Sequence, residues 1–121
     1  MSDIIATLLL RNLPEVFGEG DPIRRRAAIE ELYTEDCVVF GPSGRVVGRQ
    51  ALDQFAGELR SRHPSFVYTP HTKPQTVQDG GRIAWGSGPA GEPPQYTGLD
   101  VIIAREGKIA ALYVFLDSPP T

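Results

Sequence analysis

The residue whose setting most needs a chemical explanation is Asp100. It lies between Leu99 and Val101 in Gly98–Ala104, a stretch that is otherwise apolar. Burying an unpaired carboxylate is costly, so an acid on such a strand must be paired, protonated or exposed. Protonated, it donates a hydrogen bond; ionised, it takes a proton as a general base. Two plainer readings stand beside these: Asp100 pairs with an arginine on an outer face, or it caps an irregularity in the strand.

The other candidate groups point to little chemistry. Cys37 is the only cysteine and sits in the strand pattern Asp36-Cys37-Val38-Val39-Phe40. It cannot form an internal disulfide, and its apolar neighbours predict a buried, inert thiol. His63 stands at a helix end before Pro64, where a positive end of the side chain suits the helix dipole. His71, in Thr69-Pro70-His71-Thr72, reads as a surface-loop histidine. The two histidines are isolated and no carboxylates join them at ligand spacing, so no metal site is expected. Gly86-Ser87-Gly88-Pro89 lacks the following helix that a phosphate loop requires, and no Gly-x-Ser-x-Gly elbow occurs. No cofactor is expected.

These residues must be positioned by one domain spanning residues 1–121, since that length leaves no room for two. A net charge of −3 argues against a nucleic-acid or anionic-membrane partner. Arg24-Arg25-Arg26, followed by Glu30 and Glu31, reads as a solvated helix face. The apolar start, Met1 to Leu10, carries an early acid and no basic region, so it is not read as a signal peptide. Nothing approaches the length of a transmembrane helix, and a cytoplasmic location is expected.

The pattern predicts a helix over 3–17, with Ile4, Leu8 and, one turn later, Arg11 or Asn12 on one stripe, and Pro14 kinking or ending its regular part. Asp21-Pro22 is an N-cap followed by proline at the first helical position. It opens a second helix to about Tyr33, with Ile23 and Ala27 on its apolar face. Leu52, Phe55, Ala56 and Leu59 form one stripe of a third helix over 50–62. Strands are predicted at 36–40, 45–47, 65–70, 73–78, 82–88, 95–105 and 108–117, with turns at Asp79-Gly80-Gly81 and Glu106-Gly107. Helices first and an antiparallel meander afterwards make an α+β fold.

The last two strands are apolar on both faces. Leu99, Val101 and Ile103 oppose Ile102 and Ala104; Ile109, Ala111, Tyr113 and Phe115 oppose Ala110, Leu112, Val114 and Leu116. A sheet with one wet face should alternate. One face can pack on helices, and the other is expected to be covered by a second copy of the chain, in a homodimer built on the outer sheet face.

The order of elements, with Gly20-Asp21, Tyr33-Thr34-Glu35-Asp36-Cys37, Gly48-Arg49-Gln50-Ala51-Leu52, Gly98-Leu99-Asp100-Val101-Ile102, Arg105-Glu106-Gly107-Lys108-Ile109 and Tyr113-Val114-Phe115-Leu116-Asp117, resembles the nuclear transport factor 2-like superfamily. This group includes ketosteroid isomerases and SnoaL-like polyketide cyclases. The resemblance spans nearly the whole chain; its motifs are specific for fold and loose for function. It implies three helices on a strongly curved sheet, enclosing a conical, mostly apolar cavity for a small apolar molecule. Aromatics available to line it are Phe17, Phe40, Phe55, Phe66, Tyr68, Trp85 and Tyr96. Phe17, Phe40, Phe55, Tyr68, Trp85, Tyr96 and Leu112 are the expected ligand contacts, with Asp100 as the catalytic group. In ketosteroid isomerases an acid at the matching position is kept protonated to donate a hydrogen bond to a developing oxyanion.

Hairpin register decides where Asp100 points. A two-residue turn at Glu106-Gly107 sets it opposite Tyr113; a three-residue turn at Arg105-Glu106-Gly107 sets it opposite Leu112. The family pattern favours the second. The departures from the family matter equally. Where ketosteroid isomerases carry a carboxylate base and a phenol, this sequence has Gly41 and Leu13. Neither the aspartate–arginine–aspartate set of related epoxide hydrolases nor the paired histidines of related dehydratases is visible. Two readings therefore stand: a cofactor-free acid–base enzyme on an apolar carbonyl or epoxide-like compound, and a non-catalytic ligand-binding or dimerisation module. A protein-partner module has less to support it.

Overall fold

A computed structural model describes residues 2–117; Met1 and residues 118–121 of the expected domain lie outside the described residues. Three helices, α1 (Ser2–Asn12), α2 (Pro22–Leu32) and α3 (Arg49–Arg62), lie against one curved sheet. The strands are β1 (Tyr33–Gly41), β2 (Gly44–Val47), β3 (Phe66–Pro70), β4 (Gln75–Val77), β5 (Gly80–Pro89), β6 (Tyr96–Arg105) and β7 (Lys108–Leu116). Their order is β2-β1-β7-β6-β5-β3, with β4 also on β5. One pairing departs from the antiparallel expectation: β1 runs parallel to β7, so the sheet is mixed. Among the described residues no helix is long and apolar enough to cross a membrane.

Local chemistry explains the helix boundaries. Pro14 has no N–H to continue α1, and the chain widens into one π-helical turn, Leu13–Phe17, closed by Gly18 N–H donating to Leu13 O at 2.8 Å. Asp21 caps α2 by accepting from the Ile23 N–H at 2.9 Å, ahead of Pro22.

The buried faces of the first two helices differ from the pattern read in the sequence. In α1 and its π turn the inward stripe is Ile5, Leu8, Leu9, Asn12, Leu13 and Val16, while Ile4 is exposed. In α2 the inward residues are Arg25, Ala28, Ile29 and Leu32, and Ile23 is 74% exposed. Arg25 is thus not on a solvated face. Its Nε donates to Asp53 Oδ1 at 2.8 Å and its Nη1 to Glu19 O at 3.0 Å, which offsets the cost of burying the charge. Leu52 and Ala56 of α3 complete the helical side of the core, against Val39, Ile83, Ile102, Ile109 and Leu112.

A β-bulge sets the face of the last strand. Glu106 (φ +54°) and Gly107 (φ +78°) form the two-residue turn, pairing Arg105 with Lys108 and Ala104 with Ile109. One extra residue then enters β7, so Ile103 pairs with Ala111 and Asp100 with Val114, not with Tyr113 or Leu112. Ile109 on one side of the bulge, and Leu112 and Val114 beyond it, consequently share the helix-covered face. Tyr113 and Phe115 face outward and are 39% and 54% exposed.

Candidate functional site

Between the π turn, α3 and the helix-covered face of the sheet lies a cavity of about 430 Å³. The π turn contributes Leu13 and Phe17, and α3 contributes Phe55 and Leu59. Their spacing on α3 is one helical turn, which is why both reach the same space. From the sheet come Val39, Tyr68, Trp85, Ser87, Tyr96, Asp100, Val114 and Leu116. The exposed Pro42, Ser43 and Arg62, with the half-buried His63, mark its opening.

Of the residues expected at the site, Phe17, Phe55, Tyr68, Trp85, Tyr96 and Asp100 are brought together in this wall. Two are elsewhere. Phe40 points outward and stacks on Tyr113, with ring centroids 4.6 Å apart and planes 10° from parallel. Its neighbour Val39 takes the inward place, since successive side chains of a strand alternate. Leu112 is fully buried in the core and does not reach the cavity, because the bulge hands the place beside Asp100 to Val114. Gly41 and Leu13, which stand where family enzymes carry a base and a phenol, both line the cavity.

Asp100 is only 3% exposed. Its Oδ1 accepts from Trp85 Nε1 at 2.9 Å. That geometry depends on Gly98, which pairs with Trp85 across β5 and β6. A Cβ at position 98 would sit 2.6 Å from Trp85 Cζ2 and 2.6 Å from Phe115 O, so only glycine lets the indole lie across the strand toward Asp100. On the other side, Tyr33 OH donates to Asn12 Oδ1 at 2.5 Å, in a fully buried contact. Tyr33 is itself fixed by Arg49, whose Nη2 donates to Tyr33 O at 2.7 Å. With its oxygen taken, Asn12 leaves a buried Nδ2 with no hydrogen-bond partner among the described residues.

Burial pushes the Asp100 carboxyl up to about 7, against the opposing pull of the Trp85 N–H and of the nearby Asn12 amide. Burial, reinforced by the Asp100 charge, also raises the Tyr33 phenol well above its ordinary value. The Tyr68 phenol rises through burial, with the Ser87 hydroxyl opposing. Cys37 is fully buried, and desolvation raises its thiol, as suits an inert side chain. His71 is exposed, its ring lying against Gly86 outside the cavity. No group of three or more histidine, cysteine, aspartate or glutamate side chains is placed to hold a metal among the described residues.

Three helices on one face of a curled mixed sheet are the architecture of the nuclear transport factor 2-like class. A SnoaL-like domain profile matches residues 10–112, and the chain belongs to that family. Among solved structures, one provisionally named an isomerase of the SnoaL-like family, from Agrobacterium tumefaciens, is similar with a TM-score of 0.88 at 21% identity. That likeness covers 96% of this chain and 99% of the other. A SnoaL-like protein from Jannaschia sp. CCS1, provisionally named a polyketide cyclase, has a TM-score of 0.78 at 14% identity, covering 98% and 94%. A provisionally named ketosteroid isomerase from Kribbella flavida has a TM-score of 0.71 at 16% identity, covering 98% and 84%. No curated protein matches the chain. At these identities the likeness concerns the fold.

Proposed function

We propose that the protein binds a small, mostly apolar molecule beside Asp100 and performs cofactor-free acid–base chemistry on it. The substrate class is an apolar carbonyl or epoxide-like compound. The observation that carries this reading is Asp100 itself: a carboxyl 3% exposed in an apolar wall, with one oxygen held by Trp85. In its neutral form the acid donates a proton or hydrogen bond to a substrate oxygen that gains charge; in its ionised form it removes a proton. A pKa of about 7 gives it access to both forms near neutrality. Phe17, Phe55, Tyr68 and Tyr96 orient the apolar body. The provisional names of the structural neighbours, isomerase and cyclase, are consistent with this class of reaction.

A second reading is favoured by Leu13 and Gly41, which put neither a phenol nor a base at the two cavity positions where family isomerases carry them. Under it the protein is a carrier that binds but does not convert its ligand. Asp100→Asn separates them. An enzyme loses turnover while retaining binding within a few-fold; a carrier has no turnover to lose; and if binding and turnover both survive unchanged, the role given to Asp100 is wrong.

The protein is further proposed to act as a homodimer. The support is an outward patch of Phe40, Ile103, Tyr113 and Phe115 on the face that no helix covers.

A further inference from the structure

The arginines of this chain are nearly all committed to the fold. Arg11 binds Glu15 and Glu31, Arg24 binds Glu19, and Arg25 and Arg26 share Asp53. Arg49 donates to backbone carbonyls of Glu30 and Tyr33, Arg60 to that of Phe66, Arg82 to Gln75, and Arg105 to Asp36. Among the described residues the arginines with neither a salt-bridge nor a hydrogen-bond acceptor are Arg45 and Arg62. Arg45 lies on β2, away from the cavity lining. Arg62 lies in the lining, at the opening, and is the only arginine or lysine there among the described residues.

The surroundings favour its use by a ligand. Glu58, one turn back on α3, is not within salt-bridge distance of Arg62. The neighbouring His63 is held at the rim by stacking on Phe66, with centroids 4.3 Å apart and planes 17° from parallel. A guanidinium without an acceptor among the described residues, beside an apolar hollow, matches a planar or tetrahedral oxyanion attached to an apolar body. The deep end of the same wall, at Asp100, is buried and offers an anionic head no counter-charge, so the head is better placed at the rim.

Resting on the reading of the cavity as a ligand site, we propose that its ligand is an amphipathic organic anion. Its carboxylate- or sulfonate-type head is held at the rim by Arg62, and its apolar body extends inward to Asp100. The substrate oxygen or carbon that Asp100 serves therefore lies at the end of the molecule away from the charge.

A matched pair of fluorescent probes tests this: anilinonaphthalenesulfonate, and N-phenylnaphthylamine, which lacks the sulfonate. Binding is followed by probe emission and by quenching of Trp85, the only tryptophan and a cavity residue. The anionic probe is expected to bind about fivefold more tightly, a preference that fades with added salt because the contact is partly exposed. Arg62→Gln abolishes the preference and leaves the neutral probe unaffected, whereas Arg45→Gln changes neither affinity. Equal affinities in the unsubstituted protein, or a preference that survives Arg62→Gln, overturn the anion assignment alone. Failure of both probes to bind overturns the ligand-site reading with it.

Discussion

Trp85 and Asp100 occupy neighbouring strands on the same face of the sheet, and the indole N–H of one holds Oδ1 of the other at 2.9 Å. A donor at that position favours the ionised carboxyl, yet burial outweighs it and leaves the acid at about 7. The site is a carboxyl pulled both ways, and each pull can be removed separately.

The first prediction concerns stability. Below about pH 4, Asp100 is neutral both in the folded and in the unfolded chain. Between about 4 and about 7 the unfolded chain ionises it while the fold keeps it neutral, so its contribution falls as pH rises; above about 7 the loss is complete. Asp100→Asn removes that slope. The variant should exceed the parent in stability by roughly 2–4 kcal/mol at pH 8 and by much less at pH 4, as read by urea unfolding. Carboxylates such as Asp36 and Glu31, held below their usual range by Arg105 and Arg11, are common to both proteins and cancel in the comparison.

A second prediction isolates the indole. Trp85→Phe keeps an aromatic ring and removes the N–H. Asp100 should then titrate above its parent value, and any activity that depends on the ionised acid should shift its pH profile to higher pH. An unmoved profile would mean that the 2.9 Å contact does not act on the acid.

Gly98 gives a third. A methyl group there meets both Trp85 and the backbone of Phe115, so Gly98→Ala should cost about 1–3 kcal/mol and displace the indole. Tryptophan emission should shift, and the Asp100 titration should move in the same direction as in Trp85→Phe. A destabilised variant with an unchanged Asp100 titration would make Gly98 a packing residue only.

Asn12 and Tyr33 support the fourth. Asn12→Leu strands the buried Tyr33 hydroxyl and should cost about 2 kcal/mol; adding Tyr33→Phe removes the orphaned group and should recover part of it. Thermal unfolding of the two single variants and the pair is the measurement, and strict additivity would contradict the coupling.

The fifth addresses the outer face. Light scattering coupled to size exclusion should give twice the chain mass for the parent, and the chain mass for Phe115→Lys with an unchanged far-ultraviolet circular dichroism spectrum. A monomeric parent at micromolar concentration would remove the dimer.

Much of the fold was legible because its signals are local. Asp21-Pro22 opens α2, the Leu52–Leu59 stripe marks α3, and Glu106-Gly107 makes the turn it looks like. Asp100 stood out for a similar reason, as a carboxyl in a greasy strand. What was missed depends on distant partners or on single-residue shifts. The bulge in β7 falls among alanines that carry no sign of it, yet it exchanges Leu112 for Val114 at the site and turns Tyr113 outward. Arg25 reads as surface until Asp53, 28 residues on, is placed beside it. Asn12 sits on the inward stripe with Ile5, Leu8 and Leu9, a polar residue at a core position; in the sequence it shares its turn with Arg11, and two adjacent polar residues do not say which of them faces in. Phe40 is apolar like Val39, and composition alone does not say which of two adjacent residues faces in.

The most direct test of the whole account is a carbon-13 NMR titration of the aspartate side-chain carboxyls, with the Asp100 resonance assigned by its loss in Asp100→Asn. A midpoint near 7 that moves when a ligand fills the cavity is the predicted result. A midpoint near 4, indifferent to ligand, would mean a carboxyl in contact with water and would leave the cavity without its acid.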